Sequence, residues 1–130
     1  MNNMTIISVS LNEQNIKDLD QIQKELGFSG RSEAVRTALR MLVAERNERR
    51  KMVGHVDGVL IVVNEMGGSE HIDEIYHSNQ SMIRTHIHNH IGQDKCMNLL
   101  IMSGDAREIN KVLSSLEKLD GINYMKFIQS

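Results

Sequence analysis

Residues 4–11, Met-Thr-Ile-Ile-Ser-Val-Ser-Leu, alternate so that Ile7, Val9 and Leu11 share one face while Ile6, Ser8 and Ser10 share the other. This predicts one short, half-buried strand, and two helices follow it rather than a second strand. The first helix is capped by Asn12, carries Ile16, Leu19, Ile22 and Leu26 on one side, and ends at Gly27. The second starts after Gly30-Arg31 with Ser32 as its expected N-cap, and bears the stripe Ala34, Val35, Ala38, Leu39, Leu42 and Val43. A lone strand has no sheet to join, and even a two-stranded pair is marginal without a packed layer. The available partner is the same strand of a second copy, paired antiparallel about a two-fold axis with Ile7, Val9 and Leu11 packed on four helices. The module is therefore expected to be an obligate homodimer.

The remaining sequence can fold within one chain. Residues 58–64 form a β-branched run, 69–80 a helix with Ile72, Ile75 and Tyr76 inward, and 82–91 and 96–103 two strands joined by a short turn. Asp105 caps a last helix, with Glu108 completing an Asp variant of the capping box; Ile109, Val112, Leu113, Leu116 and Leu119 line its apolar side. Gly121 ends it before strand 122–128. The order β-α-β-β-α-β is that of a ferredoxin-like split unit with two helices on one face of a four-stranded antiparallel sheet. The expected class is α+β, with domains at 1–50 and 51–130.

Composition narrows the function classes. No apolar run approaches the roughly 20 residues needed to span a bilayer, and the N-terminus lacks a signal-peptide pattern, so the chain is expected in the cytosol with no membrane partner. The net charge of −2 averages unlike halves. Residues 1–52 hold nine Lys or Arg against seven Asp or Glu, and the remainder six against ten, which places phosphate contacts in the first half. The single cysteine, Cys96, excludes an intrachain disulfide framework.

In the dimeric ribbon, Ile6, Ser8 and Ser10 of both copies project together. A two-stranded ribbon fits the major groove of double-stranded DNA, where hydroxyls meet base edges and an aliphatic side chain meets a thymine methyl. The start of the second helix, at Gly30, Arg31 and Ser32, offers backbone N–H groups to a phosphate. Residues 4–48, and especially Gly27 to Arg36, resemble the ribbon-helix-helix family of repressors. Members of that family often carry Arg, Lys or Gln on the exposed strand face, where this chain has Ile6, Ser8 and Ser10.

Four of the six histidines, His77, His86, His88 and His90, lie within fourteen residues. The strand period of two puts His86, His88 and His90 on one face, an arrangement that packs poorly unless something binds it. Cys96 opens the next strand and can reach the same point. Imidazole and thiolate suit nickel, copper, cobalt or zinc and disfavour magnesium or calcium. His55 and His71 have no such context and read as surface residues.

Taken with the N-terminal half, this pattern is similar to the NikR nickel-responsive regulators, with an ACT-like C-terminal domain. The resemblance implies a planar site built from a His-x-His on a strand, the Cys of the next strand and a His from the facing subunit. Carried over here, His86 and His88 match the His-x-His, Cys96 the thiolate, and His77 the partner ligand, with His90 as the alternative. Two spacings depart from the family: seven residues separate His88 from Cys96 where five are usual, and His77 lies two residues nearer His86 than expected. The implied function is a metal-responsive repressor, nickel first, with copper, cobalt or zinc open. The C-terminal domains would form a homotetramer that sets the spacing of two ribbon dimers on operator DNA. The rival readings are a small-molecule sensor of the amino-acid-binding type, an antitoxin, a bare dimerisation module and a metalloenzyme, the last lacking any recognisable acid and base pair.

Overall fold

The structure, a computed structural model, describes residues 3–130. It divides into two compact units, Met1–Glu48 and Arg49–Ser130.

In the first unit, residues 3–12 form no strand within the single chain. A strand exists only through a ladder of hydrogen bonds to a neighbour, and one copy supplies no neighbour. Ile6 is 98% exposed, and Ile7 and Val9 are also open to solvent. Helix α1 (Glu13–Leu26) begins with a reciprocal capping box: the Asn15 N–H donates to Asn12 Oδ1 at 2.7 Å, and the Asn12 N–H to Asn15 Oδ1 at 3.3 Å. Gly27, at φ 73°, closes it in the left-handed region, with the Phe28 N–H bonded to the Gln23 carbonyl at 2.9 Å.

Helix α2 (Arg31–Arg50) starts earlier than expected, so Ser32 lies inside its first turn and is not its cap. The side chain serving this end is Glu33, whose Oε2 accepts from the Ser29 N–H at 2.7 Å and from the Ser29 hydroxyl at 2.5 Å. Of the apolar stripe on α2 only Ala34 is buried, while Leu39 and Leu42 are 59% and 64% exposed. Each such side chain gains about 1.5–3 kcal/mol when fully buried, which one copy alone forgoes.

The second unit contains β1 (His55–Glu65), a 3-10 turn (Met66–Gly68), α3 (Ser69–Ser78), β2 (Ile83–Ile91), β3 (Lys95–Asp105), α4 (Ala106–Glu117) and β4 (Ile122–Gln129). The sheet order is β2-β3-β1-β4, all antiparallel, which is the ferredoxin-like arrangement. Val56, Leu60 and Val62 of β1 and Leu100 and Met102 of β3 meet Ile72 of α3 and Ile109, Val112, Leu113 and Leu116 of α4 in one core, so both helices cover the same face. The other face holds Val59, Ile61, Val63, Ile87, Leu99, Ile101, Tyr124 and Ile128, half-buried or exposed.

The α4 cap is simpler than expected. Asp105 Oδ1 accepts from the Arg107 N–H at 2.9 Å, but Glu108 binds Lys111 Nζ at 3.1 Å instead of closing a box. At Gly58 a Cβ would fall 2.5 Å from the Phe127 ring and 2.6 Å from the Ile128 carbonyl oxygen, so only glycine lets β4 approach β1 here.

Candidate metal centre and nucleic-acid interface

Antiparallel register decides what faces what. His86, His88 and His90 of β2 lie opposite Leu100, Asn98 and Cys96 of β3. All six belong to the helix-covered face, at the β2 edge of the sheet. Cys96 is buried, and its Sγ lies 3.7 Å from His90 Nδ1. Two donors bonded to one ion at about 2.0–2.3 Å lie roughly 3–4 Å apart, so this pair fits a single imidazole- and thiolate-loving metal. The His88 ring stands between its neighbours, with centroids 5.5 Å from His90 and 6.4 Å from His86.

His86 is differently engaged. Its Nε2 lies 2.7 Å from Asn98 Oδ1, Asn98 Nδ2 donates to Asn64 Oδ1 at 2.8 Å, and Asn64 Nδ2 donates to the Glu65 carbonyl at 2.8 Å. A backbone carbonyl only accepts, so the far end of this chain fixes its direction. Asn64 must present its amide N–H to Glu65 and its oxygen to Asn98. Asn98 must then present its oxygen to His86, which leaves His86 Nε2 carrying the hydrogen and without a lone pair for a metal. The Tyr76 ring covers the other side of His86 at 5.0 Å.

Asn64 and Asn98, both buried, were missed as functional residues by sequence reasoning. Their signal was present: each is a polar side chain at a core-facing position of an otherwise apolar strand, and buried amides need partners.

His77, exposed on α3, has its ring 5.3 Å from that of Tyr76 and its Nδ1 3.3 Å from Gln80 Nε2. Among the described residues no three His, Cys, Asp or Glu side chains of one chain converge on a point that could hold a metal. His55 sits apart, 3.2 Å from Asp57 Oδ1 and 3.0 Å from Ser103 Oγ, and His71 lies 4.0 Å from Glu74.

At the DNA-facing positions, Ile6, Ser8 and Ser10 are exposed. Gly30, Arg31 and Ser32 mark the α2 N-terminus. The Arg31 guanidinium makes a two-pronged pair with Asp20, Nε to Oδ1 at 2.8 Å and Nη2 to Oδ2 at 2.9 Å. That hydrogen bonding, together with the opposite charge, holds the Asp20 carboxyl below and Arg31 above their ordinary ranges. Glu33 is lowered first by the Ser29 hydroxyl, then by the Ser29 N–H and the charges of Arg36 and Arg40.

Residues 58–129 match the family model of the NikR C-terminal nickel-binding domain, more than half of the chain. The chain belongs to the NikR family. Residues 5–46 match the ribbon-helix-helix model of the CopG family, and together the two matches make the fold α+β and place the chain among DNA-binding regulators rather than enzymes. Among relatives, a protein of Methanocaldococcus jannaschii named for nickel-responsive regulation is 30% identical over 97% of this chain and 92% of its own length. One of Methanosarcina mazei with a similar name is 28% identical over 92% and 88%. An uncharacterized protein from Thermotoga maritima shares the fold alone, at a TM-score of 0.54 and 15% identity over 58% of this chain and 96% of that one. The match is to a nickel domain and lends no support to copper, cobalt or zinc. No described helix is long and apolar enough to cross a membrane.

Proposed function

We propose that the chain is a nickel-responsive repressor whose ligands are His88, His90 and Cys96, completed by His77 of the partner subunit. The observation that carries this reading is the Cys96 thiol lying across the β2–β3 ladder from His90, in a chain whose other half is a ribbon-helix-helix module. The choice of His88 and His90 over His86 and His88 also removes both irregular spacings. Five residues separate His90 from Cys96, and His77 precedes His88 by two residues more than it precedes His86. His86 stays outside the ligand set because the His88 and His90 pair restores both spacings and it is His90 whose ring lies beside the Cys96 thiol, while the His86 Nε2–H is given to Asn98.

Bound nickel supplies a bond between imidazole nitrogens and a thiolate drawn from two subunits. Cys96 as a thiolate, with His88 and His90, would hold it from one strand pair, and His77 of the partner subunit would complete the set from its exposed helix. The uncovered apolar sheet face, with Ile61, Leu99 and Ile101, supports packing of C-terminal units into a tetramer. Two ribbons then stand at one spacing, with Ile6, Ser8 and Ser10 over base edges and the backbone N–H groups at Gly30, Arg31 and Ser32 on phosphates. Because Asp20 occupies the Arg31 side chain, the phosphate contact at this helix end is assigned to backbone N–H groups and not to the guanidinium.

The test is binding to DNA from the chain's own promoter, with and without stoichiometric nickel, for the natural chain, His88→Ala and Cys96→Ser. Nickel is expected to tighten binding only in the natural chain. Equal DNA affinity with and without nickel would overturn the reading.

A further inference from the structure

Three histidines at period two make the metal strand ambiguous in register. A one-residue slip of β2 against β3 would turn them to the open face, but a two-residue slip keeps all three on the helix-covered face. His88 would then stand opposite Cys96 and His86 opposite Asn98, with seven residues in place of five between His88 and Cys96. β2 is an edge strand, bonded among the described residues to β3 alone, so beyond its anchored start at the buried Met82 and Ile83 its register rests on that one ladder. The register also shifts between Ile83 and Thr85, which stores one of the two residues that such a slip would need.

We propose that His86 is a positioning residue: its hydrogen bond to the buried Asn98–Asn64 chain locks the register of β2, and so decides which two of the three histidines meet Cys96. The contact is diagonal, since His86 lies opposite Leu100 yet reaches Asn98, the residue opposite His88. A slip would move His86 into the place now held by His88, which stands opposite Asn98 without a hydrogen bond to it, so the diagonal contact belongs to the observed register. Its far end is tied through Asn64 to the Glu65 carbonyl at the end of β1, so the lock spans β2, β3 and β1. Satisfied buried polar chains of this kind specify one arrangement against others close in energy.

This inference rests on the ligand set proposed above, and the experiment separates the two. Nickel affinity of the full chain is read from the sulfur-to-nickel charge-transfer absorption, a signature of the thiolate bond itself. His90→Ala removes a ligand outright and is expected to weaken nickel binding by at least about 100-fold, the upper range for loss of a mere outer-shell partner. Adding Asn98→Leu breaks the lock, frees the His86 nitrogen and opens the slipped register, and should return affinity at least about tenfold by shifting the population toward a competent state. Should Asn98→Leu not fold, as judged by circular dichroism, Asn98→Val removes the same acceptor with a smaller strand-favouring residue. His86→Gln keeps a donor for Asn98, so it should be nearly silent in the natural chain yet abolish the recovery in the double variant. Failure of both Asn98 variants to rescue His90→Ala overturns the lock, as does a tenfold loss from His86→Gln alone. Undiminished nickel binding by His90→Ala in the natural background overturns the ligand set as well.

Discussion

At the scale of single residues, chemistry was legible before geometry. The sequence shows that His86, His88 and His90 share a face and that Cys96 is close, because the period of a strand is fixed. It does not show which of them faces the thiol, since that depends on a register shared with β3 and on two buried asparagines, Asn64 and Asn98, that lie 34 positions apart. Gly58 was equally opaque: its role follows from Phe127 and Ile128 on a strand far along the chain. Gly58→Ala is expected to lower stability by about 1–3 kcal/mol through overpacking, measured by chemical denaturation. An unchanged midpoint would mean that β4 yields freely.

At the scale of elements, the four α-helices among the described residues and the β-α-β-β-α-β order follow from periodicity and caps, with ends shifted by a few residues. The caps were misread where another side chain competes: Glu33 serves the start of α2 by accepting from Ser29, and Lys111 draws Glu108 away from the start of α4. Asp105→Ala should cost about 0.5–2 kcal/mol, the usual worth of an N-cap, while Glu108→Ala should cost much less, since Glu108 only pairs with an exposed lysine. Thermal unfolding of the two variants distinguishes them.

The Asp20–Arg31 pair joins α1 to α2 and makes a pH prediction. The Asp20 carboxyl is lowered by Arg31, so the pair contributes above the ordinary carboxylate range, and its contribution is lost as pH falls through that range and then the depressed native value. Asp20→Asn should therefore narrow the difference in melting temperature between pH 7 and pH 3. A gap equal to that of the natural chain would show the pair to be without consequence.

At the scale of the whole molecule, the sequence predicted what the single chain cannot show. Residues 3–12 find no strand partner, and the stripes of α1 and α2 stay open, because their partners lie in another copy. The melting temperature of the N-terminal transition should accordingly rise with protein concentration, as for any unit that folds only as a dimer. Acid should oppose metal binding, because imidazole and thiol must shed protons to coordinate.

The central claim is that nickel at His88, His90 and Cys96 and DNA at the ribbon bias one and the same arrangement. Linkage makes this reciprocal: the factor by which nickel tightens promoter DNA must equal the factor by which that DNA tightens nickel. The direct measurement is nickel affinity of the full chain with and without saturating promoter DNA. The account predicts tighter nickel in the presence of DNA, by the same factor found for DNA in the presence of nickel. Nickel affinity that is indifferent to DNA would contradict it.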